Sequence, residues 1–283
     1  MSMDKDPKRL LDDAQAWWST GIIDIEPGKI AVRGYPIEQL IGELRFPEMI
    51  WLMLRGEVPA RAQAQLLEAA LVAAVDHGPQ APSIAISRMA VTCGLPINGA
   101  MASAINALDD IHGGAGQQCM DLLQAIAADE REMDLTAKVE QALDRHAAGH
   151  GKVIPGFGHR FHGVDPRAVR LLELARRAQS DGTITGRYTR IAVCIEDVLQ
   201  RRKGVPIPMN IDGITAALYC ELGFPAPLGR GLFILSRSVG ILAHAWEQSQ
   251  QGGRIKGPMP PDIPYRYTGP PRRPFIPSDQ EQP

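Results

Sequence analysis

The chain has 283 residues, of which 45% are hydrophobic, so it can bury a large core as one large domain or as two unequal ones. Its formal net charge is −2 and its sequence pI is about 6.4. This balance offers no basic surface for nucleic acid or for an anionic membrane, so we predict neither as a partner.

Cysteine use and the first residues indicate where the protein works. The four cysteines lie far apart without CxxC spacing, which is typical of reduced, small buried residues and argues against a zinc site. The N-terminus is charged and lacks the apolar core of a signal peptide, and no run of 18 apolar residues occurs. We therefore predict a cytoplasmic protein with no bound metal.

Nearly every periodic segment has helical spacing. The exception is 19–33, where alternation around Pro27-Gly28 predicts a short β-hairpin. The periodicity predicts helices over 37–44, 47–55, 60–75, 84–93, 98–108, 119–128, 134–148, 168–179, 187–200, 214–222 and 232–248, with a turn at 225–229. The chain beyond residue 251 is rich in Pro, Gly and Arg, which indicates an extended arm. The fold class predicted is all-α with a short N-terminal hairpin.

The glycine-rich stretch 151–167 carries the most functional information. Its glycines permit tight turns and close approach to a ligand, and His159 and Arg160 follow them directly. A proline then opens a helix that carries Arg167. A loop that delivers a proton donor and two guanidiniums suits a site for a small carboxylate and a large cofactor. A glycine-rich turn with exposed basic residues is the simpler alternative.

Histidine or aspartate recurs beside glycine in four loops, which contain His77, His112, His159 and Asp212. If these loops meet in one cleft, a carboxylate there could remove a weakly acidic proton next to a thioester carbonyl. One histidine could then hold the enolate oxygen, and another could donate to the carbonyl of an electrophile. Arginines could bind the carboxylates of that electrophile. The thioester itself acidifies the proton, so this chemistry needs no metal.

Each of these residues also has a purely structural explanation. A histidine at a helix end is often a cap or a core residue, and Asp212 could be a helix N-cap. His244 has the setting of a core or interhelix residue. Arg237 lies in an apolar helix, where a buried guanidinium needs an anionic partner. A substrate carboxylate or Glu247 could be that partner.

Several motifs, in the same order, resemble the citrate synthase family across most of the chain. They are VRGYPIE at 32–38, LMLRGEVP at 52–59, IHGGA at 111–115, PGFGHR at 155–160 with DPR at 165–167, NID at 210–212, and SRSVG at 236–240. The resemblance implies a large helical domain at 1–112 and 213–283 and a small domain at 113–212 that closes over the substrates. It also implies a homodimer or higher homo-oligomer, and the Pro-rich tail at 270–283 is expected to be flexible.

The resemblance further implies a role for each matched site residue. Asp212 would remove a methyl proton from acetyl-CoA, His112 would hold the enol oxygen, and His159 would donate to the carbonyl of oxaloacetate. Three side chains would bind the oxo acid, namely His77, Arg167 and Arg237. Coenzyme A would be held by the segment before His159 and by one arginine, namely Val153, Ile154, Pro155, Gly156, Phe157, Gly158 and Arg160. The coenzyme A thioester would be a substrate, and no tightly bound cofactor is implied.

Three departures from the family pattern bear on the substrate. Few residues precede His77, and the segment between His159 and Asp165 is one residue short. The family usually contributes an arginine from the partner subunit, and the matching position here falls near Gly257. The basic residues that could replace it are Arg254, Lys256 and Arg266.

The leading hypothesis is therefore a citrate synthase-type enzyme that condenses acetyl-CoA with oxaloacetate to citrate by way of citryl-CoA. The alternative is a citryl-CoA lyase, which cleaves citryl-CoA to acetyl-CoA and oxaloacetate, because the compact length and His77-Gly78-Pro79 also resemble that branch. A related pair of 2-oxo acid and acyl-CoA, or a non-catalytic paralogue that binds coenzyme A, is also compatible with the sequence.

Overall fold

The computed structural model describes residues 7–158 and 163–275. In this part of the chain, three short strands and twelve helices follow one another. The strands are β1 (Ile23–Glu26), β2 (Lys29–Val32) and β3 (Tyr35–Pro36). The helices are α1 (Pro7–Trp17), α2 (Ile37–Leu40), α3 (Phe46–Arg55), α4 (Arg61–Ala73), α5 (Pro82–Thr92), α6 (Ile97–Ile105), α7 (Ala115–Ala127), α8 (Leu135–His150), α9 (Pro166–Ser180), α10 (Arg187–Lys203), α11 (Ile211–Glu221) and α12 (Ala226–Gln251).

The strands form a small antiparallel sheet in the order β1-β2-β3. Glu26 pairs with Lys29, so the turn falls at Pro27-Gly28, where Gly28 has a φ of 77° that glycine adopts without strain. The predicted hairpin is thus confirmed. Strand β3 was not predicted because two residues are too few to show a periodicity.

The all-α prediction is confirmed, and each predicted helix is present as one of α2 to α12. Three boundaries differ most, and one of them is the start of α7 at Ala115 instead of 119. Helix α2 ends at Leu40 instead of 44, and α12 begins at Ala226 instead of 232. The turn expected at 225–229 was wrong, because Pro225 is the N-cap of α12 and a second proline is tolerated in the first helical turn. Helix α1 was not predicted.

Helix α11 is the centre of the main core. Its residues 211 and 213–220 are all buried, as expected for a helix that is apolar on every side. Helices α4, α7, α9, α10 and α12 pack around it. The same core cluster runs from Ile50 in α3 to Leu232 in α12, so it contains residues from both sides of the predicted boundary at 112/113. The division into two domains stays a prediction.

The chain after α12 is extended. Residues 252–275 contain no helix or strand and are exposed, which confirms the predicted arm for this range. The backbone N–H groups of Ile255 and Lys256 donate to Thr92, which anchors the start of the arm on α5. Residues 276–283 lie outside the described part. Within that part, no helix is both long enough and apolar enough to cross a bilayer.

The four cysteines are free thiols, as predicted. Cys119 and Cys220 are buried, Cys194 is partly buried and Cys93 is exposed. The expectation that all four would be buried is therefore wrong for Cys93, which is the C-cap residue of α5.

Candidate functional site

A cavity of about 620 Å³ lies where the loops that contain histidine or aspartate meet. It is lined by parts of segments 74–82, 111–115, 210–212 and 233–237, together with Gly158 and Arg167. The structure thus brings together five of the predicted catalytic and substrate-binding residues, namely His77, His112, Arg167, Asp212 and Arg237. Two other predicted site residues, His159 and Arg160, lie outside the described residues, directly after Gly158.

Asp212 lies in the first turn of α11. The helix begins at Ile211, and its N-cap is Asn210, whose side-chain oxygen accepts from the N–H groups of Asp212 and Gly213 at 2.9 and 3.2 Å. The alternative that Asp212 is itself the N-cap is therefore wrong. No hydrogen bond from the described residues reaches its carboxylate. The side chain is thus free to accept a proton in the cavity.

The environment of Asp212 strengthens it as a base. Burial raises the pKa of its carboxyl group, and the nearby charge of Asp165 adds to this rise, whereas the charges of Arg167 and Arg237 oppose it. A carboxylate with a raised pKa binds a proton more readily at neutral pH.

Arg167 is held by a buried carboxylate. Asp165 is 1% exposed and accepts from Nε and Nη2 of Arg167 at 3.0 and 2.8 Å. The same carboxylate accepts from the N–H of Ile211 at 3.1 Å, which joins Arg167 to the start of α11. Burial acts to raise the pKa of Asp165, but the bonds from Arg167 and Ile211 hold it below its usual value. The sequence had indicated Asp165 only as the first residue of the DPR motif at 165–167.

Arg237 is a buried cation that faces the cavity. Its side chain is 6% exposed, its Nε donates to the Ala74 carbonyl at 3.2 Å, and its guanidinium lies 4.9 Å from the Phe233 ring centroid. No carboxylate of the described ranges lies within 4.0 Å of it. Glu247, one proposed partner, pairs with Arg88 instead.

Burial lowers the pKa of Arg237, and the charges of Asp76 and Asp212 oppose that change. A guanidinium that is removed from water without a bound carboxylate favours an anionic ligand, which gains a bidentate partner at this position.

His112 is held in one tautomer by the start of α5. The Ser83 N–H donates to its Nε2 at 3.0 Å, and the Ser83 hydroxyl lies at the same distance from that atom. Because Nε2 accepts this bond, the neutral ring carries its proton on Nδ1. Burial and the charge of Arg237 lower the pKa of His112, so the imidazole stays neutral. The result is a neutral N–H donor, and Ser83 is a contributor that no sequence motif had indicated.

The glycine-rich loop is joined directly to the segment before α11. The Gly156 carbonyl accepts from the Asn210 N–H at 3.0 Å, and the Asn210 side chain donates to the Gly158 carbonyl at 2.7 Å. Gly156 has a φ of 87°, and a Cβ on it would lie 2.7 Å from the Gly213 Cα. Only glycine allows this approach, so Gly156 sets the distance between the loop and the helix of Asp212.

The segment predicted to hold coenzyme A has two kinds of residue. The Ile154 and Phe157 side chains are each 7% exposed and belong to the core, and Pro155 and Gly156 are buried. The Val153 side chain is 81% exposed, and Gly158 lines the cavity. This segment therefore offers backbone groups, more than side chains, to a ligand.

The structure also shows the positions of two further histidines, His77 and His244. His77 lines the cavity from the loop between α4 and α5. His244 bridges elements instead of entering the cavity, since its ring contacts Asp76 and Arg88. The interpretation of His244 as an interhelix residue is confirmed.

Comparison with known proteins identifies the family of the chain. Residues 13–69 and 59–259 match the family model described as citrate synthase, C-terminal domain. A citrate synthase of Haloferax volcanii is 33% identical over 231 residues, which are 81% of this chain and 56% of the relative. The chain thus spans about half the length of the curated relatives it matches.

Two solved structures are also similar. A citryl-CoA lyase from Hydrogenobacter thermophilus superposes with a TM-score of 0.82 at 31% identity, covering 94% of this chain and 99% of that one. A citrate synthase from Thermoplasma acidophilum, in a ternary complex with carboxymethyl coenzyme A and oxaloacetate, superposes with a TM-score of 0.65 at 25% identity. The match covers 83% of this chain and 60% of that one. From the family match across most of its length, the chain belongs to the citrate synthase family.

Proposed function

We propose that this protein makes or breaks the carbon–carbon bond between the acetyl group of acetyl-CoA and oxaloacetate, with citryl-CoA as the joined compound. One observation carries the proposal. A base with a raised pKa, a neutral histidine donor and a buried guanidinium that no described carboxylate pairs with line the same cavity. These are the three groups that an enolate reaction with an anionic electrophile requires.

The proton step uses Asp212 and His112. In the direction of bond formation, the Asp212 carboxylate takes a proton from the methyl carbon of acetyl-CoA, and the C–H electron pair becomes the enol or enolate. The Nδ1–H of His112 donates to the thioester oxygen, where negative charge develops. In the direction of cleavage, the same carboxyl group returns the proton to carbon. A preorganised donor of this kind contributes about 10²–10³ in rate.

The electrophile is held by positive charge. Arg237 and Arg167, with His77 beside them, bind the carboxylates of the oxo acid, and His159 donates to its keto oxygen. The backbone of 153–158, together with Arg160, binds coenzyme A. The Thermoplasma acidophilum complex, which contains oxaloacetate and a coenzyme A derivative, supports this choice of ligands.

Two directions of the reaction have separate support. Cleavage is favoured because nearly the whole of a citryl-CoA lyase chain has a counterpart here. Condensation to citrate is supported by the Haloferax volcanii citrate synthase. The synthase reaction also needs hydrolysis of the citryl-CoA thioester, so release of free thiol distinguishes the two.

We also propose a cytoplasmic homodimer. An apolar groove of about 400 Å³ lies on α6 and α12, lined by Ile97, Val239, Leu242, Ala243 and Trp246. Val239 and Trp246 are each 58% exposed. A second copy of this surface would remove these side chains from water. Movement of the proposed small domain, 113–212, against the rest would close the cavity.

The test is a pair of coupled assays with purified protein. The first supplies acetyl-CoA and oxaloacetate and follows free thiol. The second supplies citryl-CoA and follows oxaloacetate through malate dehydrogenase and NADH. Thiol release in the first identifies a synthase, and oxaloacetate in the second without thiol in the first identifies a lyase. Absence of turnover in both assays, with no binding of coenzyme A or oxaloacetate in calorimetry, would overturn the proposed function.

A further inference from the structure

We propose that His244 is a positioning residue for the oxo-acid site, and that it acts through a hydrogen bond to Asp76 that fixes the loop of His77. His244 does not line the cavity and no step of the reaction above uses it. The inference rests on the proposed function, in which His77 helps to bind the oxo acid.

Helix α12 contacts three consecutive residues that lead to His77. Arg237 donates to the Ala74 carbonyl, and Gly240 packs so closely on Val75 that a Cβ there would lie 2.3 Å from the Val75 oxygen. His244 then reaches the Asp76 carboxylate at 3.4 Å.

These three α12 residues are spaced i, i+3 and i+7, so they share one face of the helix. The face therefore holds the segment 74–76 residue by residue. His244 makes the last of these contacts before His77.

The hydrogen-bond direction at His244 follows from chemistry. Arg88, from α5, approaches Nδ1 of the ring at 3.2 Å. A guanidinium can only donate, so Nδ1 must accept and the ring proton is on Nε2. Nε2 therefore donates to Asp76. Arg88 is itself held by Glu247 and by Gln251, the latter at 2.6 Å.

Asp76 passes this constraint to the loop. Its Oδ2 also accepts from the Gly78 N–H at 3.0 Å, which closes a turn around His77. Burial acts to raise the pKa of Asp76, but the bonds from Gly78, His244 and the His77 N–H keep it below its usual value, so the group is an anion. That anion also opposes the loss of charge on the buried Arg237.

Without the His244 bond, the Asp76 carboxylate keeps only its local partners and can turn toward water. The turn around His77 and the charge that faces Arg237 would then both be less well defined. Weaker binding of the oxo acid is the expected consequence. Binding of coenzyme A is not expected to change, because its proposed segment, 153–158, has no bond to this network.

Two polar variants separate this role from simple packing. The amide nitrogen of His244→Gln can take the place of Nε2 and donate to Asp76. His244→Asn is shorter by one methylene, so its amide can take the place of Nδ1 and contact Arg88 but not Asp76. His244→Leu removes both contacts. The inference predicts that oxaloacetate binds to the Gln variant within about twofold of the wild type, and about tenfold more weakly to the Asn and Leu variants, the loss expected for one hydrogen bond to a charged group.

The measurement is calorimetric titration of each protein with oxaloacetate and, separately, with coenzyme A, alongside turnover in both assays and the melting temperature. Glu247→Gln is the control, because it retains an acceptor for Arg88 and lies on the exposed side of the network. Weaker oxaloacetate binding in Asn and Leu, with Gln and the control close to the wild type, supports the inference.

If the wild type is active and all three His244 variants bind oxaloacetate as tightly as it does, the role of His244 is overturned and the proposed function is left intact. Parallel losses for Gln and Asn, with lower melting temperatures, would show a packing role only and also overturn it. A wild type that binds no oxaloacetate and has no turnover would instead overturn the proposed function, and the inference with it.

Discussion

The cavity has two walls that are built differently. One, the α11 wall, consists of Asp212 with Asn210, Asp165 and Arg167. Hydrogen bonds hold each of its supporting groups, and Asp165 joins Arg167 to the start of α11. The other, the α12 wall, consists of Arg237 and the segments packed on α12. Among the described residues, Arg237 there has one carbonyl partner and contacts one aromatic ring.

The difference shows which parts of the site are complete before a ligand arrives. On the α11 wall, the arginine already has its carboxylate, so its charge is partly neutralised by the protein. On the α12 wall, no carboxylate in 7–158 or 163–275 pairs with the buried charge, and an anionic ligand would supply that partner. The proposed base and the unmet demand for an anionic substrate thus belong to different walls.

The largest effect is expected from Asp212→Asn. The amide cannot accept the methyl proton, so kcat should fall by about 10²–10⁴. The fold should persist, because the Asn210 cap and the Asp165 bond to Ile211 use backbone N–H groups. The measurement is turnover in the active assay direction, with Asp144→Asn on the exposed side of α8 as a control for charge removal.

The stability of Asp212→Asn should be unchanged or higher although its kcat falls. Burial raises the pKa of Asp212, so above that pKa the ionised carboxylate costs stability in the folded state, and the cost disappears as the pH falls toward the usual value of 3.8. Asp212→Asn should therefore melt at the same or a higher temperature near pH 7, and the gap should narrow in acid. A lower melting temperature at pH 7, or near-normal kcat, would argue against Asp212 as the desolvated base.

Arg237→Met tests the role of the α12 wall. Loss of the unpaired guanidinium should lower kcat/KM by about 10²–10³ through the oxo acid. It should not lower the melting temperature, since burial already disfavours the charge. Arg237→Lys is the matched variant, because an ammonium keeps the charge but cannot bind a carboxylate in bidentate fashion. Its kcat/KM should lie between those of the wild type and Arg237→Met. Unchanged oxaloacetate affinity in Arg237→Met would place the anion elsewhere.

The sequence predicted the helices and most of the residues that line the cavity, because periodicity and glycine-flanked histidines are local signals. Their convergence is not local. It depends on α11 and α12 packing with elements more than a hundred residues away. The supporting residues Ser83 and Asp165 were missed as parts of the site, since one acts through its backbone N–H and the other through a bond to Ile211. Asn210 offered an overlooked signal, because asparagine just before an apolar run is a common N-cap.

Gly156→Ala tests how tightly the α11 wall is built. The new Cβ would meet the Gly213 Cα at 2.7 Å and the Cys119 sulfur at 2.9 Å, at a φ that alanine disfavours. Overpacking of this kind costs about 1–3 kcal/mol of unfolding free energy, and displacement of Gly213 should also reduce kcat. The measurements are urea denaturation and turnover.

The control is Gly163→Ala, where a Cβ meets no atom of the described residues within 4 Å. It should leave both stability and kcat close to those of the wild type. If Gly156→Ala behaved in the same way, the contact between the loop and α11 would be more adaptable than its geometry indicates.

The smallest effect is expected from Ser83→Ala. The backbone N–H still donates to Nε2 of His112, so the Nδ1–H tautomer is kept and kcat should fall by no more than about tenfold, the worth of one neutral hydrogen bond.

The pH dependence of the melting temperature is the sharper readout for this variant. Because the pKa of His112 is lowered from 6.5, the folded state binds this proton less readily than the unfolded chain does. The neutral ring therefore contributes stability that is present above pH 6.5 and is lost as the pH falls from 6.5 through the lowered pKa. Ser83→Ala should retain this slope in melting temperature and His112→Asn should remove it, whereas equal slopes in all three proteins would show that His112 is not the group held neutral by the α12 wall.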